Sequence, residues 1–232
     1  MRAKIILQMF TLGIALVVSG VRVSASNGGG RVAWSAFEKL HEKPYKNAEL
    51  QTYLPSNATI HNGIFILKSV RKGSSISSGA IALRKDHAFR YGRIEVRARL
   101  PQGRGLFPAI WMMTAAGHHL PEIDIVELLG QQPHQMWGVY HYRDRDGRHQ
   151  RVFTYVNGPN YAAAYHTYGL RWAPDGLTWT VDGHVVLHTR KSPHERMYLI
   201  LNLAVGGNWP GAPDASFRSA EMRIAWVKIR PL

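Results

Sequence analysis

The chain contains no cysteine among its 232 residues. Neither disulfides nor thiolate metal sites can hold its fold. Acidic residues are scarce: 15 Asp plus Glu stand against 29 Lys plus Arg, a formal net charge of +14. Long apolar runs are missing too. The longest covers residues 5–18 and is interrupted by Gln8, Thr11 and Gly13, short of the roughly 20 residues that span a bilayer. Arg2 and Lys4 precede this run, and Val23-Ser24-Ala25 follows it with the small residues of a cleavage site. That order reads as a secretory signal peptide. We therefore expect a signal peptide over 1–25, one exported domain over 26–232, no membrane association after cleavage, and a secreted location, extracellular or periplasmic.

Signatures of several other chemistries are absent. The 12 histidines include His118, His119, His134, His141, His149 and His166. None shows the i, i+4 helical spacing of the common zinc hydrolases, so no metal is expected. Gly103-Arg104-Gly105 lacks the Gly-Lys-Ser/Thr of a phosphate loop and reads as a turn. The basic residues are scattered, with no zinc-finger spacing and no basic helix, so nucleic acid is not expected as a partner. No stretch after the leader keeps an i, i+3, i+4, i+7 apolar pattern for three turns, which argues against helices.

What remains is a chain of short strands and turns. Residues 93–100 alternate polar and apolar without a break, the pattern of a strand with one buried face. Asn62-Gly63, Asp175-Gly176 and Asp182-Gly183 are tight-turn signals between such runs. Further strands are expected over 110–114, 122–129, 136–142, 152–156, 166–172, 198–205 and 221–230. Many short strands with Gly- and Pro-rich turns indicate an all-β sandwich.

One strand carries an unusual load. Glu122-Ile123-Asp124-Ile125-Val126-Glu127 sets three acids among β-branched residues. Side chains alternate along a strand, so Glu122 and Asp124 share a face and Glu127 would point away. One extra residue, a β-bulge around Ile125-Val126, returns Glu127 to that face. Two Glu side chains leaning together across four strand steps can approach ~5–5.5 Å, the spacing of a retaining glycosidase pair. The alternatives are a solvated acidic strand or a cation site. The short connection at 130–135 makes the strand over 136–142 its hairpin partner. Folded about that loop, Asp124 lies near His141, and Glu127 near Trp137 or Gly138. Trp137 and His141 share a face by period two and would add a stacking ring and a hydrogen-bonding group.

At this point the chain resembles glycoside hydrolase family 16. The acid hexapeptide is similar to that family's bulged active-site signature. Other matching stretches are Tyr91-Gly92-Arg93-Ile94-Glu95, Leu106-Phe107-Pro108-Ala109-Ile110-Trp111-Met112, His166-Thr167-Tyr168-Gly169-Leu170, Trp179 with Val181-Asp182-Gly183, and Leu201-Asn202-Leu203 through Gly206-Gly207-Asn208-Trp209-Pro210-Gly211. The resemblance implies a concanavalin-like β-jelly-roll sandwich of two antiparallel sheets with a concave sugar-binding cleft. It makes Glu122 the nucleophile, Asp124 its assistant and Glu127 the acid/base. It places Trp111 near the cleavage point and Trp137, His141 and Trp209 along the cleft. Where related laminarinases read Asn-Asn-Glu-Leu-Gln, this chain has Asn47-Ala48-Glu49-Leu50-Gln51, leaving Asn47 to replace a cleft Asn. Ser78-Gly79-Ala80 lacks a binding Arg, and Trp34-Ser35 is followed by Ala36-Phe37-Glu38 rather than an acidic pair, so a structural calcium site is not expected there. The likeness is to the laminarinase type, a secreted retaining endo-hydrolase of β-1,3-glucan that works as a monomer without a cofactor. The other readings are hydrolysis of an algal galactan, carrageenan or agarose, and non-catalytic binding of β-glucan.

Overall fold

The structure, a computed structural model, describes residues 30–43 and 47–232. The expected signal peptide over 1–25 lies outside the described residues. Sixteen strands carry the described chain: β1 (Phe37–Lys39), β2 (Gln51–Tyr53), β3 (Ala58–His61), β4 (Ile64–Lys72), β5 (Ser75–Ser78), β6 (Ala80–Leu83), β7 (Gly92–Arg99), β8 (Leu106–Thr114), β9 (Glu122–Leu128), β10 (Gln135–Arg143), β11 (His149–Asn157), β12 (His166–Ala173), β13 (Gly176–Val181), β14 (His184–Thr189), β15 (Met197–Val205) and β16 (Ser219–Pro231). The helical segments among the described residues are three single turns of 3-10 helix, as the missing helical periodicity requires.

Two sheets face each other. The first runs β1-β6-β15-β8-β9-β10-β11, and the second β14-β13-β12-β7-β16-β4-β5-β2, with β3 added to β4. The sandwich is a jelly roll. Its strands pair antiparallel with one departure from expectation: β2 runs parallel to β5. Strand alternation supplies the core. On β7, Ile94, Val96 and Ala98 are fully buried, while Arg93, Glu95, Arg97 and Arg99 face outward. Trp172 and Trp179 are the largest fully buried side chains. Strand β15 is buried along its whole length inside the first sheet, between β6 and β8, with apolar residues on both faces.

Candidate active site

Strand β9 departs from regular alternation where the sequence predicts it. Trp111 on β8 lies opposite Asp124, yet the next residue back, Ile110, lies opposite Val126. On the other side, Trp137 of β10 pairs with Glu127 and Val139 with Asp124. Residue Ile125 is the extra one, so the bulge sits at Ile125-Val126. The driving force is hydrophobic. With the bulge, Ile123, Ile125, Val126 and Leu128 all enter the core. Without it, Glu127 would be forced inward and Val126 and Leu128 outward, at a large desolvation cost. Glu122, Asp124 and Glu127 consequently share one face with Ala109, Trp111 and Met113 on β8 and with Trp137, Val139 and His141 on β10.

The bulge is braced from behind. The Trp179 indole Nε1, on β13 of the opposite sheet, donates 2.9 Å to the backbone carbonyl of Asp124. Gly138 makes room for the ring: a Cβ there would stand 3.1 Å from Trp179 Cδ1. Register on β13 itself shifts at Trp179-Thr180. Two irregular strands thus meet across the core through one indole.

Burial and mutual repulsion govern the charges. Asp124 is 3 % exposed. Burial first, then the neighbouring Glu127 and Glu122, push its carboxyl well above the ordinary carboxylate range. The same two forces, burial and then Glu122, raise Glu127 to about 8, with Arg151 opposing weakly. At neutral pH Glu127 is a protonated acid. His141 is driven down to about 4 by burial and by His149 and Arg151, so it is neutral there. Its Nε2 lies 3.5 Å from Asp124 Oδ2, and its Nδ1 contacts His149 Nε2 at 2.9 Å. With His141 neutral, the contact is not an ion pair. Glu122, Asp124 and His141 each bring one candidate ligand atom to within 4.8 Å of the others; among the described residues this is the group that could hold a cation.

A cleft of about 430 Å³ opens beside Glu127, lined by Asn47, Trp137, His141, Trp209, Arg151 and Phe153 among others. Trp137 is its hub. It stacks on Phe153 at 6.0 Å, tilts against Tyr155 at 5.2 Å and meets Trp209 edge-on at 5.3 Å. Phe107 backs Trp209 at 5.5 Å. Trp111 faces the same side but is fixed by a hydrogen bond from its Nε1 to Asn202 Oδ1 at 2.8 Å. Asn202 in turn donates to the Tyr53 hydroxyl at 2.9 Å.

The structure brings together Glu122, Asp124, Glu127, Trp111, Trp137 and His141 as neighbours on three adjacent strands, and Trp209 and Asn47 close the cleft. Asp124 lies near His141 as the hairpin implies, 3.5 Å from its Nε2, although the residue directly opposite His141 across the strands is Glu122. Sequence reading missed roles for Asn202, Tyr53, Arg151, Phe153 and Tyr155. The last three alternate on β11, each directly opposite a cleft residue of β10, a signal available once that hairpin is placed. The Tyr53–Asn202 contact spans 149 positions and leaves no local trace.

The chain is similar to known glycosyl hydrolases. The profile of the glycosyl hydrolases family 16 matches residues 41–228. Glucan endo-1,3-beta-glucosidase from Cryptopygus antarcticus is 32% identical over 219 residues, covering 80% of this chain and 79% of that protein. Glucan endo-1,3-beta-glucosidase A1 from Niallia circulans is 31% identical over 223 residues, covering 79% of this chain. The aligned part is only 32% of that relative's length. Among solved structures, a family 16 endo-glucanase from Bacteroides ovatus in complex with G4G3G-2F-DNP superposes with a TM-score of 0.77 at 29% identity, covering 85% of this chain and 96% of that one.

Proposed function

The chain belongs to glycosyl hydrolase family 16, and on that premise we propose that it is a secreted, retaining endo-hydrolase of β-1,3-linked glucan. The observation that carries this reading is the bulged strand, which sets Glu122, Asp124 and Glu127 on one face beside a cleft walled by Trp137 and Trp209.

In the first step the Glu122 carboxylate attacks the anomeric carbon. The glycosidic C–O bond breaks as Glu127 gives its proton to the leaving oxygen, and a glycosyl ester on Glu122 remains. Water then enters. Glu127, now ionised, takes its proton while the water oxygen displaces Glu122 and restores the original configuration. The raised Glu127 keeps the acid form available at neutral pH. Asp124 shares its proton with Glu122 and so limits the charge gathered on the strand. Two carboxyl groups suffice for both steps, and no cofactor is invoked.

A neutral glucan fits the walls. Aromatic faces suit the apolar C–H side of a sugar ring, and the cleft lining includes one arginine, Arg151, against Trp137, Trp209, Phe107 and Phe153. A cleft for an anionic galactan would reverse that balance. A non-catalytic glucan binder would have no use for both Glu122 and Glu127. The test is Glu122→Gln: hydrolysis of laminarin should vanish while folding and oligosaccharide binding persist. Full activity in that variant would eliminate the assignment. An inverted first product by proton NMR would reject the two-step path. Turnover of carrageenan or agarose in place of laminarin would move the substrate to the galactans.

A further inference from the structure

The exposed aromatic rings of the protein gather in one place. Among the described residues three aromatic side chains stand well exposed: Phe153 at 47%, Tyr155 at 52% and Trp209 at 44%. All three pack on Trp137. Single apolar residues on a surface are ordinary, whereas a contiguous group marks a site of contact. Trp209 belongs to the cleft wall. Phe153 and Tyr155 reach outward from it.

Strand register fixes where they reach. Strand β11 is the last strand of the sheet that carries the acids. Its Arg151, Phe153 and Tyr155 stand opposite His141, Val139 and Trp137 of β10, and Trp137 stands opposite Glu127 of β9. Glu127, Trp137 and Tyr155 therefore form a line across three adjacent strands. Strands lie ~4.8 Å apart, so Tyr155 is ~10 Å from the acid along that line, beyond the bond that Glu127 serves. Polar groups flank the rings on the same face. His149 and Arg151 precede them and Asn157 follows, by the alternation of the strand. The Arg151 guanidinium sits 4.8 Å over the Phe153 ring, and Asn157 Oδ1 accepts from Gln135 Nε2 at 3.2 Å.

We propose that Phe153 and Tyr155 form an outer shelf that carries β-glucan beyond the cleft and makes the protein favour long chains over short ones. This rests on the glucan reading above. A sugar presents apolar C–H faces to rings and hydroxyls to flanking polar groups, and the shelf offers both in alternation. It is also continuous with the cleft, because Arg151 and Phe153 line the cleft itself and Trp137 joins the two. A second copy of the chain seated on these rings would obstruct that opening. A glycan running out of the cleft would not.

The test measures affinity against chain length. The Glu122→Gln chain is titrated calorimetrically with laminaribiose, laminarihexaose and laminarin, and affinity should rise along that series. Adding Tyr155→Leu keeps apolar bulk against Trp137 but removes the ring face. It should lower the ratio of hexaose to biose affinity about 3–10-fold, the worth of one ring contact. Adding Phe153→Leu as well should lower the ratio further, and Tyr155→Phe should hold it. With Glu122 restored, the loss from Tyr155→Leu should appear in KM for laminarin rather than in kcat. An unchanged ratio in the double variant would overturn the shelf and leave the glucan reading intact. Equal weakening at every length would trace the loss to Trp137 and overturn it too. A Glu122→Gln chain that binds none of the three glucans would remove the glucan reading and the shelf together. A dimer in sedimentation that Tyr155→Leu dissociates, with the ratio unchanged, would give the rings to a second copy. Should the double variant misfold, Tyr155→Leu alone decides.

Discussion

Glu127 sits where its charge is disfavoured. Burial strips its water, Glu122 faces it, and its carboxyl rises from the ordinary 4.5 to about 8. Under the proposed mechanism the first consequence is catalytic. The proton needed by the leaving oxygen is held up to about pH 8, so kcat/KM on a β-glucan should have its alkaline limb there and fall about tenfold per pH unit beyond it. A rate profile that falls already above pH 5 would contradict this. The second is a matter of stability. Between 4.5 and 8 the folded state holds a proton that the unfolded state releases, so this group's contribution is present below 4.5 and lost as pH rises through 8. Glu127→Gln cannot ionise. It should melt above the parent at pH 9 and together with it near pH 4, as read by thermal circular dichroism. The three acids are legible in the sequence because their spacing on a β-branched strand makes no sense unless they share a face. Their separate protonation states are not, because these depend on burial that only the packed sandwich creates.

The bulge at Ile125-Val126 is the element on which the site turns. Its side-chain pattern can be read locally, since apolar residues at 125, 126 and 128 cannot all point inward without it. Its support cannot. The Trp179 indole reaches the Asp124 carbonyl across 55 positions and from the other sheet. Trp179→Phe keeps an aromatic ring in the core but leaves that carbonyl without its donor, a loss of about 1–3 kcal/mol. Chemical denaturation should show it. Because the freed strand also carries Glu122 and Glu127, kcat should fall more than KM changes. Equal loss in a glucan-binding assay would point to general collapse of the cleft instead. The hairpin of β9 and β10 illustrates how far local reasoning reaches. Trp137 lies opposite Glu127 and Asp124 lies near His141, both as expected, while the added residue sets Glu122 directly opposite His141. A one-residue irregularity decides partners on one side of it and leaves the other side unchanged.

The molecule holds together by apolar burial between two sheets. With no cysteine, its melting temperature should be the same with and without dithiothreitol; a drop on reduction would mean that the chain is not the species being measured. Its folding must join distant segments. Strand β6 pairs with both β1 and β15, and closing such long loops is slow, so refolding should run in milliseconds to seconds rather than microseconds. Stopped-flow fluorescence of the buried tryptophans would follow it. At this scale the exposed aromatic residues also acquire a place. In the linear sequence Phe153 and Tyr155 stand far from Trp209; in the structure all three meet at Trp137.

By itself the sequence determined the class of fold, the strand that carries the acids and the need for a bulge. Those follow from alternation, turn residues and the cost of burying a carboxylate, all of which act within a few residues. Only the tertiary structure decided which groups are protonated, what braces the bulge, how Tyr53, Asn202 and Trp111 come to support one another, and where the exposed aromatic rings gather. Each of these depends on strands far apart in the chain lying side by side, and sheet pairing between distant segments is set by the packing of the whole core rather than by any local pattern.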